Sequence, residues 1–444
     1  MDTSSLIKKI TRKLKKESFV ITSEHQKCLD ILRNSDQNLF ITGKAGTGKS
    51  SLIQYFRKNT NKKVVVLAPT GIAALNCRGQ TIHSFFGFPP RLINLSAIRK
   101  QINNTFFTGL DLLIIDEISM VRADLLDGID KFLRLNGKDS NVPFGGIQVV
   151  FVGDLYQLPP VLTSNEAPIY QTLYDSPYFF SAKSFIPQTF SMIELKTIFR
   201  QKEEDFINFL NTVRVGEMQK GTFDLINKKV VDYSFDKRKH VILCTTNKVA
   251  DGINQSRLAE IKKPQFTYQA GIEGEFPAEE RSLPVDFDLK LKVGARVLFV
   301  KNDPAKRWVN GTLGMVKKLE EGLIQVKIDE TGEVVKVNIM EWDNIRYERD
   351  EEQGGVKEKV IGTFKQYPLR LAWAITIHRS QGMSLDKVCL DFNRSPFTHG
   401  QTYVALSRCR SLQGLILTRP IWPNDILIDD KIVEFHKGIT DEPN

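Results

Sequence analysis

Residues 40–50, FITGKAGTGKS, constrain this chain more than any other stretch. Gly43, Gly48, Lys49 and Ser50 satisfy G-x-x-x-x-G-K-[ST], the spacing of a phosphate-binding loop. Each residue type has a chemical reason. Glycine lets successive backbone N–H groups curl around phosphate oxygens without a Cβ in the way. Lysine brings a cation to the β and γ phosphates, and the serine hydroxyl can ligate Mg²⁺. An apolar strand precedes the loop and a helix follows it, so the positive end of that helix points at the anion. The expected nucleotide-binding residues are Gly43, Ala45, Gly46, Thr47, Gly48, Lys49, Ser50 and Ser51. A loop of this kind places the chain in the α/β class, with parallel strands linked by crossover helices.

The 444 residues exceed what one hydrophobic core holds, so more than one domain is expected. Short apolar strands, each followed by a turn and a helical pattern, recur at 39–41, 64–68, 112–115 and 149–152. The same texture returns at 241–245, 372–376, 387–390 and 415–418, which predicts a second α/β domain of similar kind. Between Leu291 and Tyr347 the chain instead alternates in short strands, with turns at Asn310-Gly311, Glu321-Gly322 and Thr331-Gly332. This predicts a small all-β barrel inserted into the second α/β domain, with the acidic stretch Glu348–Gly355 as its exit linker.

A nucleotide-hydrolysing site also needs carboxylates at the end of a neighbouring strand, where open α/β sheets bind ligands. LLIIDE supplies them: Asp116 to hold the Mg²⁺ shell with Ser50, and Glu117 to polarise the attacking water. A third strand, VVFVGD, runs into LYQLPPV and places Gln157 to sense the γ-phosphate. The alternative for that segment is a turn set by Pro159 and Pro160.

Charge agrees with a polyanionic partner. The chain carries 62 Lys and Arg against 52 Asp and Glu, a net +10, and phosphate neutralisation releases counterions. Six basic residues crowd into 6–18, either a short basic helix or an organelle transit segment. No run of about 18 apolar residues exists, so no membrane span is expected. Five scattered cysteines without CxxC pairs fit a reducing compartment and suggest no metal site.

The order of motifs resembles superfamily 1 helicases, and more narrowly the petite integration frequency family of 5′-to-3′ DNA helicases. SEHQ with Gln26 is similar to the adenine-reading Q motif. GKAGTGKS, APTGIAA (68–74), TIHSFFG (81–87), IIDEISMV and GDLYQLPPV resemble motifs I to III in order. The stretch 121–134 resembles the family's signature helix, IFRQ with Arg200 motif IV, WAITIHRSQGMS (373–384) motif V, and YVALSRCR (403–410) motif VI. There is no long amino-terminal extension, so the chain resembles a compact bacterial or phage-like form.

The resemblance implies two RecA-like domains with ATP between them: the first at 1–185 with a wedge insertion at about 86–108, the second at 186–292 and 362–444. An SH3-like barrel would occupy 293–361. Arg200 and Arg408 become candidate arginine fingers, and Gln381 and Gly382 would line the nucleotide cleft. Pro69, Thr70, Thr81, His83 and Phe85 would meet single-stranded DNA on the first domain, with Phe85 as plain core as the alternative, mirrored by Thr376, His378 and Ser380 on the second. In the barrel Lys301, Trp308 and Asn310 suggest a DNA-facing loop, with Trp308 as core and the lysines as a solvated rim as the alternative. Expected cofactors are ATP and Mg²⁺. Expected partners are single-stranded, duplex, forked or G-quadruplex DNA, bound by a monomer or by a dimer on DNA. A cytoplasmic, nucleoid-associated location follows from the bacterial-type form. The rival readings are an RNA helicase of the same superfamily and an ATP-gated clamp that does not unwind.

Overall fold

The computed structural model describes residues 20–218, 221–232, 240–276, 283–349, 356–392 and 395–440; the basic stretch at 6–18 lies outside them. Six parallel strands form the first sheet: β1 (Asn38–Gly43), β2 (Val64–Ala68), β3 (Gln80–Thr81), β4 (Leu112–Asp116), β5 (Gln148–Val152) and β6 (Phe190–Leu195). Their order is β3-β2-β4-β5-β1-β6, which puts β1 and its phosphate loop inside the sheet. Every residue of β4 and β5 is buried, as helices on both faces demand of a parallel sheet. Those helices include α1 (Ser23–Asn34), α2 (Lys49–Lys58), α3 (Gly71–Cys77), α4 (Ile82–Phe86) and α5 (Ala123–Asn136).

The boundary expected at residue 185 falls too early. β6 pairs with β1 from Asn38↔Phe190 to Gly43↔Leu195, so the first sheet holds the chain ten residues longer. Its interior residues are only half-buried, and FSMIEL therefore lacks the continuous apolar run that marks the central strands.

Three buried aspartates explain the helix α5. Asp124 accepts from the Ile93 N–H at 2.9 Å, and Asp127 accepts from Ser184 N at 2.8 Å and the Tyr174 hydroxyl at 2.9 Å. Asp130 accepts from Phe144 N at 2.6 Å and Arg134 Nε at 2.7 Å. Each carboxylate thus satisfies backbone donors of a loop that has no ladder partner, which is how buried charge is tolerated. The insertion at about 86–108 is pinned on this helix by Ile93 and by the rings of Phe86, Phe88, Phe107 and Phe132, and it leaves Ile102 fully exposed.

The second parallel sheet opens with β7 (Val241–Cys244), after helix α6 (Glu204–Val215) and before α7 (Asn247–Glu260). Ten antiparallel strands then intervene: β8 (Gln265–Gln269), β9 (Gly271–Gly274), β10 (Asp288–Lys292), β11 (Arg296–Phe299), β12 (Leu313–Glu320), β13 (Leu323–Ile328), β14 (Val334–Val337), β15 (Met340–Arg349), β16 (Val356–Gln366) and β17 (Leu369–Leu371). The sheet resumes with β18 (Ala374–Thr376), helix α8 (Ile377–Ser380), β19 (Val388–Leu390), α9 (Gln401–Ser407), β20 (Leu415–Leu417) and α10 (Asp430–Thr440), in strand order β18-β7-β19-β20.

The antiparallel strands make sheets of order β14-β13-β12-β11-β17 and β15-β16-β9, plus the pair β10-β8. Gly311, Gly322 and Gly332 all take positive φ, as the three predicted turns require. The expected limits at 293 and 361 lie inside this region, because β8 to β10 precede it in sequence and β17 follows. Most of the expected exit linker, 350–355, lies outside the described residues; the strands that flank it, β15 and β16, pair directly, with Arg349 opposite Val356. This hairpin docks on the first sheet, where the Tyr347 hydroxyl accepts from Val66 N at 3.2 Å and Glu358 pairs with Arg57 on α2.

Candidate nucleotide cleft and nucleic-acid face

The phosphate loop leaves β1 through Gly43, whose φ of 144° and close neighbour, the Leu195 carbonyl 2.6 Å from any added Cβ, admit no side chain. Gly48 then caps α2 in the left-handed region at φ 88°. Lys49 Nζ donates to the Gly43 carbonyl at 2.6 Å and to the Lys44 carbonyl at 3.1 Å, so the lysine already lies folded back over the loop. Thr47 is buried and its hydroxyl donates to the Lys44 carbonyl at 2.9 Å, whereas Ser50 and Ser51 are exposed at the start of α2.

Asp116 ends β4 as a buried carboxylate whose recorded hydrogen bond comes from the next backbone N–H, Glu117 N, at 2.9 Å. Burial raises its pKa. Glu117 follows in the left-handed region, at φ 53°. For a non-glycine residue this costs roughly 1–2 kcal/mol, and it turns the carboxylate away from the strand direction. Burial, then the neighbouring Asp116, push the Glu117 pKa up to about 7, a value suited to a base at neutral pH.

The second unit closes over these groups. Gln381 Nε2 donates to Glu117 Oε2 at 3.1 Å, while Gly382 is exposed beside it. Phe199 N donates to the Gly46 carbonyl at 2.9 Å, and the Arg200 Cβ stands 2.6 Å from where a side chain on Gly46 would begin. Arg200 donates to the Ser407 carbonyl at 3.2 Å and to the Gly382 carbonyl at 3.5 Å. Arg408 is 1% exposed, and its recorded bonds go to the carbonyls of Val404, Ser380 and Met383 and to the Ser407 hydroxyl. Burial lowers both guanidinium pKa values, Arg200's to about 10. Among the described residues neither arginine has a carboxylate within ion-pair distance.

Several residues of the matched motifs take contacts that the motifs did not specify. The Ala45 N–H donates to the Tyr403 hydroxyl at 2.9 Å, a direct link from the loop to α9. Gln201 Nε2 donates to the carbonyls of Ser407 and Cys409, holding the segment that carries Arg408. Buried Gln157 does not face the cleft alone, since its amide donates to Asp154 at 3.2 Å. Gln26 is exposed and donates to Asp30 on its own helix at 2.7 Å; the residue turned onto Gly48 is its neighbour His25, whose ring lies 6.2 Å from Phe199 and nearly parallel to it. Tyr403 and Gln201 sit within or beside matched motifs, so their position was the available signal. Nothing in the sequence marked His25.

The nucleic-acid face is assembled differently. Thr70, Thr81 and Thr376 are helix N-caps: their hydroxyls accept from Ala73 N at 3.2 Å, Ser84 N at 3.2 Å and Arg379 N at 3.3 Å. Pro69 and Thr70 are half-buried, while Thr376 and Ser380 are buried, Ser380 donating to the Ile377 carbonyl at 2.7 Å. His83 and His378 remain half-buried on α4 and α8, and burial lowers both pKa values, leaving neutral imidazoles. Phe85 is half-buried, its ring meeting Phe86 at 4.7 Å and Phe107 and Tyr347 at 5.9 Å.

Trp308 is corrected from a DNA-facing side chain to barrel core: it is 3% exposed and stacks on Phe299 at 4.4 Å. Lys301 lies over Trp342 at 5.0 Å and donates to the Glu341 carbonyl, and the Asn310-Gly311 turn abuts the Ser384 backbone. Of the basic residues in that loop, Lys306 and Arg307 are exposed, Lys306 with positive φ.

The geometry has close counterparts among known proteins. A family model described as PIF1-like helicase matches residues 20–223, and one described as Helicase matches residues 337–426. The ATP-dependent DNA helicase Pif1 of Bdellovibrio bacteriovorus is 33% identical over 427 residues, covering 94% of this chain and 92% of the relative. The structure of Bacteroides Pif1 in complex with ADP-AlF4 is 38% identical with a TM-score of 0.86, covering 95% of this chain and 98% of that one. Bacteroides Pif1 bound to single-stranded DNA matches at the same 38% identity with a TM-score of 0.67, covering 95% and 97%. Among the described residues, no helix is long and apolar enough to cross a membrane.

Proposed function

The chain belongs to the PIF1-like helicase family and is an ATP-dependent DNA helicase; we propose that it moves 5′ to 3′ along single-stranded DNA and opens the duplex ahead of it. The observation that carries the motor reading is the pair Arg200 and Arg408: Arg408 is buried, Arg200 is half-buried and packed against Gly46 of the phosphate loop, and among the described residues both bond to neutral oxygens. A buried charge without a counter-ion is costly, and stability gives no reason to keep two of them together. A triphosphate supplies the missing negative charge. An ATP-gated clamp has no need of them, because binding without turnover requires no transition-state neutralisation.

In this reading the loop N–H groups and Lys49 grip the phosphates, with Lys49 leaving the Gly43 and Lys44 carbonyls for the β and γ oxygens. The residues fit a Mg²⁺ ion: Asp116 is a buried carboxylate with no ion-pair partner among the described residues, and the Ser50 hydroxyl stands at the head of α2. Bound Mg²⁺ would neutralise charge on the β and γ oxygens. Glu117, held by Gln381 from the second unit, orients and deprotonates the attacking water. Arg408 and Arg200 neutralise charge as it spreads over the transferred phosphoryl, a contribution on the order of 10³–10⁵ in rate. Gln381, Arg408 and Arg200 come from across the cleft, so hydrolysis depends on closure and closure becomes movement. His83 and His378, half-buried on the short helices α4 and α8, are the proposed strand contacts on the two units. Forks and G-quadruplexes are the expected obstacles, and the nucleoid the expected place of action.

The test is turnover by a Glu117→Gln variant with single-stranded DNA present. ATP binding is retained and hydrolysis falls by about 10³ or more, the scale of losing a positioned base together with water orientation. Turnover near the wild-type level would overturn the assignment of the base.

A further inference from the structure

The roles above leave unexplained a buried ion pair where the first sheet meets the second unit. Asp154 is fully buried two residues beyond the end of β5. The parallel ladder sets Ile41 beside Val152, and Gly153 N donates to the Ile41 carbonyl at 3.1 Å, so Asp154 lies alongside Gly43. The Gly43 carbonyl is the group that holds Lys49 Nζ at 2.6 Å. A carboxylate therefore borders the lysine that must reach the phosphates, and among the acidic groups around Lys49 it exerts the largest pull.

Its remaining neighbours explain why it does not capture that lysine. Arg214 Nε and Nη2 both donate to Asp154 Oδ1, at 3.2 and 3.1 Å, and the guanidinium plane lies over the Tyr156 ring at 4.4 Å. Gln157 Nε2 donates to the other oxygen, Oδ2, at 3.2 Å. Glu194 of β6 is 3.8 Å from the same guanidinium. Arg214 itself comes from α6, which packs on α9, the helix leading into Arg408. The pair thus ties the end of β5 to the element that brings the second unit's arginine.

We propose that Arg214 is a positioning residue for ATP turnover: it holds the Asp154 carboxylate away from Lys49, keeping the lysine free for phosphate and Gln157 in place. The proposal rests on the reading of this cleft as an ATPase site. A planar fork that bonds and stacks at once explains why the position takes arginine, since lysine offers only a point charge.

The full chain tests this as wild type, R214Q, R214K, D154N and D154N/R214Q. Three quantities are read: affinity for a fluorescent ADP analogue, steady-state kcat and KM with oligo(dT), and thermal unfolding. R214Q leaves Asp154 to pair with Lys49, so nucleotide affinity falls roughly tenfold, the scale of one charge-assisted hydrogen bond. R214K falls between. D154N keeps affinity within about threefold of wild type while kcat drops, because Gln157 loses its acceptor. In D154N/R214Q the carboxylate at position 154 no longer competes for Lys49, and affinity returns to the D154N level although Arg214 is gone. Should R214Q not fold, the comparison of R214K with the double variant carries the test. The proposal is overturned if the folded Arg214 variants bind nucleotide as wild type does, or if the double variant binds no better than the single Arg214 variant. A wild-type chain that neither binds nor hydrolyses ATP contradicts the reading of the cleft instead.

Discussion

In the nucleotide cleft, side chains from both parallel sheets converge on one loop. On the face expected to meet DNA, the polar side chains turn back on their own backbone. Glu117, Gln381, Arg200 and Tyr403 all touch the phosphate loop or one another across the cleft, and Arg200 and Arg408 both bond to Ser407. Thr70, Thr81, Thr376 and Ser380 cap or brace the short helices they sit on. The difference reflects what each ligand asks of a protein. A triphosphate and its transition state carry concentrated charge at fixed positions, so they demand particular groups at particular points. A strand held without regard to sequence asks for phosphate contacts and stacking surface, which backbone amides and many residue types can supply.

The largest expected contrast lies at Arg408. Arg408→Ala lowers DNA-stimulated kcat by about 10³ or more while leaving the midpoint for single-stranded DNA within a fewfold, as read by ATPase assay and fluorescence anisotropy. Equal losses in both would blur the two regions into one. Trp308 offers the reverse test. Trp308→Ala costs about 3–5 kcal/mol of barrel stability, visible as a lowered melting temperature. Trp308→Phe keeps the stack on Phe299 and retains strand affinity. A Phe variant that melts like wild type yet loses DNA binding would restore the DNA-facing reading of that loop.

The two regions also differed in how far the sequence displayed them. The phosphate loop, Asp116 and Glu117 were legible because chemistry fixes residue type and spacing together, and the second-unit arginines followed from the order of motifs. The buried strands were legible too, since burial on both faces writes a continuous apolar run. Edge strand β6, half-buried along its length, carried no such mark. The barrel's hairpins announced themselves through glycine turns, but its limits did not, because β8, β9 and β17 pair with strands distant in sequence. Trp308 shows the same limit: an aromatic among basic residues reads alike whether it faces a base or a neighbouring Phe299. Asp154 and Arg214 are sixty residues apart, and spacing cannot reveal a pair of that kind.

A smaller effect sharpens the cleft alone. With Glu117 raised to about 7 by burial and Asp116, the ionised base fades as pH falls through that value. The profile of kcat/KM for ATP therefore shows an acid limb near pH 7, dropping about tenfold per unit below it. A flat profile from pH 5.5 to 8 would remove Glu117 from the role.

The most direct measurement is unwinding of two partial duplexes with ATP and Mg²⁺, one with a 5′ single-stranded tail and one with a 3′ tail. Strand separation from the 5′ tail alone is the predicted result, since it requires both the ATP-driven cleft and the proposed direction of travel. Separation from the 3′ tail alone would contradict the polarity, and separation from neither, with ATP hydrolysis still stimulated by DNA, would contradict duplex opening itself.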